Sequence, residues 1–387
     1  MKERKIYGQK HYLTVLLTLL VLTILATACN TPTTEKKTVE PAKSDESTAT
    51  VGRCGDKSKL SKTLHLFNWA DYMDSEIITQ FETECGIKIV QNIFSSNEDM
   101  MAKVQAGNSG YDLIVPSDYM VEIMAEHGLL AELDKTNLPN IKNLNQKQMG
   151  MYYDPENKYS LPYLWGVTGI AYNVKSFLNG TPDSWAVLFD SKQVCEHKGF
   201  VLMLDDERDA IGAALKYLGY SFNDTDPTHH EKAKKILLAQ KECLAGYNSD
   251  NFHQALASEE VVLAQAWSGN TTLARAENKN IKFFIPKEGG GIWQDNLAIP
   301  VDALHKYTAE LFINFLLEPE ISAKLSNYTY YFTPNKAAES LLDQNFHDLL
   351  ESGGMIVDDK IYSRLEWIKR NKDTIIFSDT WTAVKAQ

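Results

Sequence analysis

The 387-residue sequence predicts an α/β fold in two lobes, and three observations carry that prediction. Strand-like and helix-like stretches alternate from residue 63 to residue 125, and a second alternating unit opens near Val167. Residues 60–387 are also enough chain for two lobes with substantial cores. In such sheets the ligand-facing loops lie at the carboxyl ends of the strands, so the residues that follow each strand are the first place to look for a site.

The first unit opens with a strand at residues 63–69, where apolar and polar residues alternate before a turn. Residues 74–85 have helical spacing, with Ile77, Ile78 and Phe81 on the inner face and Asp74 suited to the N-cap. A strand at 86–90, a helix at 97–106, a strand at 111–115 and a helix at 119–125 follow. Trp69, Asp71, Tyr72 and Ser117-Asp118-Tyr119 therefore fall at strand ends. In the second unit a strand at 200–204 runs through Asp205-Asp206 into a helix at 207–218. Carboxylates at a helix start suit its dipole, which is one account of Asp206 and Asp209. A buried strand at 261–266 ends at Trp267-Ser268-Gly269-Asn270, a further strand spans 281–285, and residues 297–300 begin a return crossing toward the first lobe.

The chain begins as an export signal. Lys2, Arg4, Lys5 and Lys10 precede an apolar stretch at 12–26 that is short for a membrane span. Ala26-Thr27-Ala28-Cys29 resembles a bacterial lipobox, with Cys29 lipidated and becoming the mature N-terminus, although Ala26 stands where leucine is usual. An ordinary signal peptide cleaved nearby, or a retained anchor, fits the same residues. The expected division is a signal peptide over 1–28 and a flexible tether over 29–59, rich in Thr, Ser, Pro, Glu and Lys, that holds the body on the extracytoplasmic face of a membrane.

The net charge of −12 becomes more acidic once the basic leader is removed. That disfavours nucleic acid and favours a cationic ligand. Cys54, Cys85, Cys195 and Cys243 permit two disulfides in three pairings, and chain order and lobe membership favour Cys54–Cys85 with Cys195–Cys243. Free buried thiols are the alternative. No CxxC or zinc-knuckle spacing is present, the histidines are scattered without ligand spacing, and no metal or cofactor is expected. Lys287-Glu288-Gly289-Gly290-Gly291 lacks the spacing of a phosphate loop, and there is no Gly-x-Ser-x-Gly elbow. Asp206 and Asp209 could serve a glycosidase if one carboxyl pKa were raised.

Aromatics stand beside carboxylates in several separated segments: Trp69-Ala70-Asp71-Tyr72, Asp118-Tyr119, residues 205–209, Trp267, Trp293-Gln294-Asp295 and Tyr330-Tyr331. Brought together, they would form a cleft walled by rings and ended by negative charge. Such a cleft suits a long cation with an apolar middle, because π faces attract ammonium groups and carboxylates fix the ends. Ordinary core packing is the competing reading for each ring taken alone.

The ordered motifs FNWADYM, FETECGIKI, SSNEDMMAKVQAG, YDLIVPSDYM, LPYLWGVTGIAYN, SWAVLF, LKYLGYSFNDTDP, IPKEGGGIWQDNLAIP, INFLLEPE and TPNKAA follow one another from residue 67 to residue 338, within a body of residues 60–387. By these the chain resembles bacterial polyamine-binding proteins, the spermidine- and putrescine-capturing subunits of ABC importers among the two-lobed (type II) periplasmic binding proteins. The resemblance implies lobe one over 60–166 and 296–343, lobe two over 167–295, and a segment 344–387 that returns to lobe two. Crossing strands join the lobes, which close on the ligand. It implies ligand contacts at Trp69, Tyr72, Ser117, Tyr119, Asp206, Asp209, Trp267, Trp293, Asp295 and Tyr331. Asp295 would hold an internal or shared ammonium, Asp206 and Asp209 an amine at one end, and the rings would sandwich methylenes.

Specificity is expected to involve Ala70, Asp71, Asp118, Asn270 and Ile368. Tyr119, Asp206 and Trp293 resemble the spermidine-preferring branch, whereas the tail around Ile368 resembles the putrescine branch. Ala70 lacks a hydroxyl common there, and Asn270 replaces an aspartate of the putrescine branch. The balance favours spermidine over putrescine, bound without turnover by a monomer that partners a permease and ATPase. Asp71 and Asp118 are assigned to the local field or to bound water, and Glu98 to ligand contact or a helix cap. A putrescine preference, capture of another cationic solute, a sensor subunit and, last, a glycosidase-like enzyme are the alternatives.

Overall fold

The computed structural model describes residues 52–178, 180–370 and 373–386. The expected signal peptide, Cys29 and the tether up to residue 51 lie outside the described residues. Residues 52–59, at the end of the expected tether, are tied to the body: Arg53 pairs with Glu84 and Glu318, each at 2.6 Å, and Cys54 is bonded to Cys85. The second disulfide joins Cys195 to Cys243, so both favoured pairings are present, with Cα separations of 5.3 and 5.1 Å.

Ten strands form one sheet: β1 Thr63–Trp69, β2 Lys88–Phe94, β3 Leu113–Ile114, β4 Ser160–Asn173, β5 Val201–Met203, β6 Gly246–Tyr247, β7 Leu263–Trp267, β8 Ile281–Phe284, β9 Gly290–Ala298 and β10 Leu365–Trp367. Their order is β2-β1-β3-β9-β4-β7-β5-β6, with β10 on β9 and β8 on β4. β1 pairs in parallel with β2 and β3, and β5 in parallel with β6 and β7. These are the two alternating units expected from the sequence, each with helices between its strands.

Local chemistry explains the elements of the first unit. Asp74 caps the helix Ser75–Cys85 by accepting from the Glu76 amide, and Gly86 ends it at φ 73°, a left-handed conformation that glycine adopts without a Cβ penalty. β2 runs four residues beyond the expected 86–90, to Phe94, because it pairs along the whole of β1.

The two halves are joined by β4 and β9, antiparallel from Ser160 opposite Ala298 to Thr168 opposite Gly291. Here two strands run farther than the sequence suggests. β4 is a single 14-residue strand through Val167, and the return crossing begins at Gly290, not Leu297. β4 is buried at every position except Trp165 and β9 at every position, so neither shows the two-residue alternation that identifies a half-buried strand. Pro162, which has no N–H to give, further masks β4; the register shifts between Pro162 and Leu164.

Apolar packing follows the same division. One cluster draws mainly on residues 54–164 and 297–331, around Phe81, Phe312 and Phe315, and reaches across to Phe222, Trp293 and Ile368. A second surrounds Trp185, Ile211 and Leu237 and takes in Phe377 and Val384 from the last helix, Ile375–Lys385. A third lies around Phe252 and Phe283 and includes Phe346, Leu350 and Met355.

Candidate binding cleft

The strand ends converge. Trp69 closes β1, Ala70 and Tyr72 follow it, and Ser117 precedes the helix Asp118–Glu126 after β3. Asp206 precedes the helix Glu207–Tyr217 after β5, Trp267 closes β7, and Trp293 and Asp295 face inward from β9. These residues, with Tyr119, Asp209, Asn270, Tyr331 and Ile368, line one cleft of about 650 Å³, its mouth included. All ten expected contact residues are therefore brought together, as are Ala70, Asn270 and Ile368 among the five expected to tune specificity.

Asp71 and Asp118 do not line the cleft, so any part they take in it is through the local field or bound water. Asp71 takes a left-handed backbone (φ 51°) that turns its half-exposed carboxylate toward His253, 3.7 Å from Nε2. Asp118 is fully buried as the first residue of its helix; its Oδ1 accepts from the Tyr119 amide at 2.8 Å, and burial pushes its carboxyl well up.

Asp295 is the most fully defined group. Its Oδ1 accepts from Ser117 Oγ at 2.6 Å and its Oδ2 from the Tyr72 hydroxyl at 2.7 Å. Ser117 is itself fixed by Asn97, which accepts from the Ser117 amide and donates to Ser117 Oγ, both at 3.0 Å. Burial raises the Asp295 carboxyl to about 7, against the opposing pull of the two hydroxyl donors.

A second acidic station sits at the start of the helix Glu207–Tyr217. Asp206 caps that helix by accepting from the Asp209 amide at 2.9 Å, and it also lines the cleft, so capping and site roles coexist. Asp209 Oδ2 accepts from Trp267 Nε1 at 2.7 Å, while its Oδ1 is buried with no hydrogen-bond partner. Burial and then the Asp206 charge raise Asp209 to about 7. Asp206 is likewise raised by burial. Glu98 is not the cap of its helix; Ser96 is, by accepting from the Asp99 amide at 3.2 Å. Glu98 instead accepts from the Tyr119 hydroxyl at 3.0 Å and is raised to about 8 by burial and by Glu207 and Asp206.

The wall between the stations is a chain of rings in edge-to-face contact: Trp69 to Trp267 (6.2 Å between centroids), Trp267 to Trp293 (6.4 Å), Trp293 to Tyr331 (5.3 Å) and Tyr331 to Tyr72 (5.3 Å). The indole N–H groups are spent on protein: Trp69 on the Val115 carbonyl at 3.0 Å, Trp293 on Thr168 Oγ1 at 3.2 Å, and Trp267 on Asp209. Two glycines let the rings seat. A Cβ on Gly166 would lie 2.7 Å from the Trp293 ring, and one on Gly269 2.6 Å from the Tyr331 ring.

The sequence reading missed Asn97, Arg208, Ser249 and Asp250 among the lining residues. Arg208 is buried over the rings of Tyr119 (5.0 Å) and Phe377 (4.3 Å), and its Nη2 donates to Asn223 Oδ1 and the Lys369 carbonyl. Its place among the acidic residues 205–209 was visible. Spacing alone does not separate an arginine turned into a cleft from one on a solvated helix face.

The site is thus an anionic, ring-walled slot. Asp206, Asp209, Asp295 and Glu98 all shift upward for the same reason, burial, and none forms an ion pair among the described residues. Among the described residues no cluster of three or more His, Cys, Asp or Glu could hold a metal, and no helix is long and apolar enough to cross a membrane.

Residues 76–351 match the family of bacterial extracellular solute-binding proteins. The chain is 36% identical over 326 residues to the spermidine/putrescine-binding periplasmic protein of Salmonella typhimurium, covering 84% of this chain and 92% of that one. It is 34% identical over 339 residues to the putrescine/cadaverine-binding protein of Pseudomonas aeruginosa, covering 85% and 95%. Among solved structures, a Listeria monocytogenes protein assigned to spermidine/putrescine ABC transport superposes with a TM-score of 0.79 at 36% identity, over 84% of this chain and 99% of that one.

Proposed function

The chain belongs to the bacterial extracellular solute-binding proteins, and from that premise we propose that it captures polyamines, spermidine ahead of putrescine, and delivers them to an ABC importer. The observation that carries the reading is the slot itself: Asp295 between two hydroxyl donors at one station, Asp206 and Asp209 at another, and a continuous ring wall between them. A buried carboxylate without a counter-charge is costly, and an ammonium removes that cost. Each methylene taken from water onto the rings adds about 0.8 kcal/mol. Charge and chain length are thus selected together, and nothing in this binding calls for chemical turnover.

Three raised carboxyls favour a three-amine ligand, because a diamine brings one ammonium fewer than the cleft has buried carboxyls. Ile368 favours the diamine instead: it lines the cleft as a buried apolar side chain and offers an end amine nothing to bond. The first effect is the larger, since it concerns charge, and spermidine is placed first.

In this reading residues 60–166 and 296–343 form one lobe, 167–295 with 344–387 form the other, and β4 and β9 flex as the lobes close. Lipidation at Cys29 would hold the monomer on the outer face of a membrane beside its permease and ATPase. A tryptophan fluorescence titration of ligand-stripped protein tests the reading, because Trp69, Trp267 and Trp293 wall the slot. Saturable quenching or enhancement by spermidine at lower concentration than by putrescine is the expected result, and an unchanged spectrum with both would refute it.

A further inference from the structure

Behind the cleft lies a hydrogen-bonded chain that the contacts above do not use. Tyr331 and Asn270 line the cleft, and the Tyr331 hydroxyl donates to Asn270 Oδ1. Asn270 Nδ2 lies 3.3 Å from Nδ1 of His253, a residue 6% exposed in the helix Phe252–Ala257. His253 Nε2 in turn faces Asp71 Oδ2 at 3.7 Å. An amide nitrogen only donates, so His253 Nδ1 must accept, and the ring proton belongs on Nε2, toward Asp71. Every group passes its proton away from the cleft; the Asn270 backbone N–H takes one lone pair of the Tyr331 oxygen, which leaves the other for a donor inside the cleft.

Resting on polyamine capture as read above, we propose that His253 is a positioning residue for the ligand: through Asn270 it holds the Tyr331 hydroxyl as an acceptor toward an ammonium group. The backbone supports the arrangement. Asp71 faces His253 from a left-handed conformation (φ 51°), which costs a non-glycine residue energy and persists where the surroundings enforce it. The same chain makes the slot sensitive to the charge on His253. Protonation turns Nδ1 into a donor, so the Asn270 amide must turn over and present its nitrogen to Tyr331. The tyrosine hydroxyl then points its own proton into the cleft, against the ammonium. Asp71 and, farther away, Glu277 favour the charged imidazole, whereas burial opposes it and prevails, holding the pKa below the usual histidine value. Phe252 and Asn270, also packed against the ring, carry no charge.

The test is spermidine calorimetry at pH 8 on four full-length proteins: wild type, His253→Phe, Tyr331→Phe and the double variant. Loss of one hydrogen bond to a charged group predicts about tenfold weaker binding for His253→Phe. No further loss is expected when the same change is made in Tyr331→Phe. His253→Gln, whose amide can accept from Asn270 and donate to Asp71, should restore affinity and retain less of the wild-type loss between pH 7 and pH 5. Full losses that simply add in the double variant would overturn the proposal. The imidazole tautomer, read by long-range ¹H–¹⁵N NMR in ligand-free protein at pH 8, decides it independently. The Nε2–H form is required, and an Nδ1–H form overturns the relay whether or not any polyamine binds. Absence of binding to wild-type protein would instead refute polyamine capture.

Discussion

Ser117 Oγ donates to Asp295 Oδ1 at 2.6 Å, linking the turn after β3 to the strand that crosses between the two halves of the fold. With the Tyr72 hydroxyl on the other oxygen, this fixes the carboxylate in both position and rotation. A carboxylate held by neutral donors has no counter-charge of its own, whereas one paired to lysine or arginine is already neutralised.

Asp295→Asn should therefore abolish most binding while leaving the fold intact. The amide keeps the volume but removes the charge opposite the ammonium, and breaking such a buried pair costs about 3–5 kcal/mol. Calorimetry should show spermidine bound at least about a hundredfold more weakly, with an unchanged circular dichroism spectrum. An affinity within threefold of wild type, about 0.7 kcal/mol, would remove Asp295 as an anchor.

Trp69→Ala and Trp293→Ala test the ring wall. Each removes a face that would cover methylenes or ammonium, worth about 0.5–2 kcal/mol apart from area burial. Both variants should weaken putrescine and spermidine by about tenfold, with little change in the ratio between them. A large change in that ratio would mean that the rings choose between ligands and do more than grip the chain they share.

Much of this was legible because capping and strand-end residues announce themselves. Asp74 and Asp206 are caps, and Trp69, Ser117 and Trp267 stand where strands end, so their convergence follows from α/β geometry. Contacts made across the chain left no local mark. Asn97 bracing Ser117, Arg208 lying over Tyr119, and His253 meeting Asn270 depend on residues 17 to 89 positions apart, brought together by the fold. β4 and β9 escaped definition for a different reason: burial on both faces removes the alternation by which a strand is read.

The pH dependence has two opposite signs. Asp209 and Asp295 are raised to about 7 in the folded protein, above the ordinary aspartate value, so between about pH 4 and pH 7 the native state binds more protons than the unfolded chain. Their contribution makes ligand-free protein less stable as pH rises through that window. Polyamine binding needs the ionised carboxylates, so affinity should rise over the same window, with protons released on binding near pH 7. Calorimetry in buffers of different ionisation enthalpy counts those protons, and a count of zero at pH 6.5 contradicts the assignment.

Ile368→Gln should move the preference. It puts an amide where the cleft now offers a buried apolar side chain beside the strand pair of β9 and β10. One new hydrogen bond to an end amine predicts spermidine tightened about tenfold relative to putrescine. Tightening of putrescine alone would show that the diamine, not the triamine, reaches this end of the slot.

Reduction of the two disulfides tests stability apart from binding. Their Cys residues lie 31 and 48 positions apart, and loops of that size are each worth about 3–4 kcal/mol on the chain-entropy account. Reduced protein should melt several degrees lower yet bind spermidine within about threefold of the oxidised form, because no cysteine lines the cleft. A matching collapse of affinity in protein still folded would tie the disulfides to the site itself.

The most direct measurement is calorimetric titration of the protein, stripped of carried-over ligand by unfolding and refolding, with spermidine and putrescine in parallel at pH 7.5. One-to-one binding of both, with spermidine the tighter, is the predicted result. Protein that is folded yet gives no heat and no competition with either amine would contradict the reading of this cleft as a polyamine site.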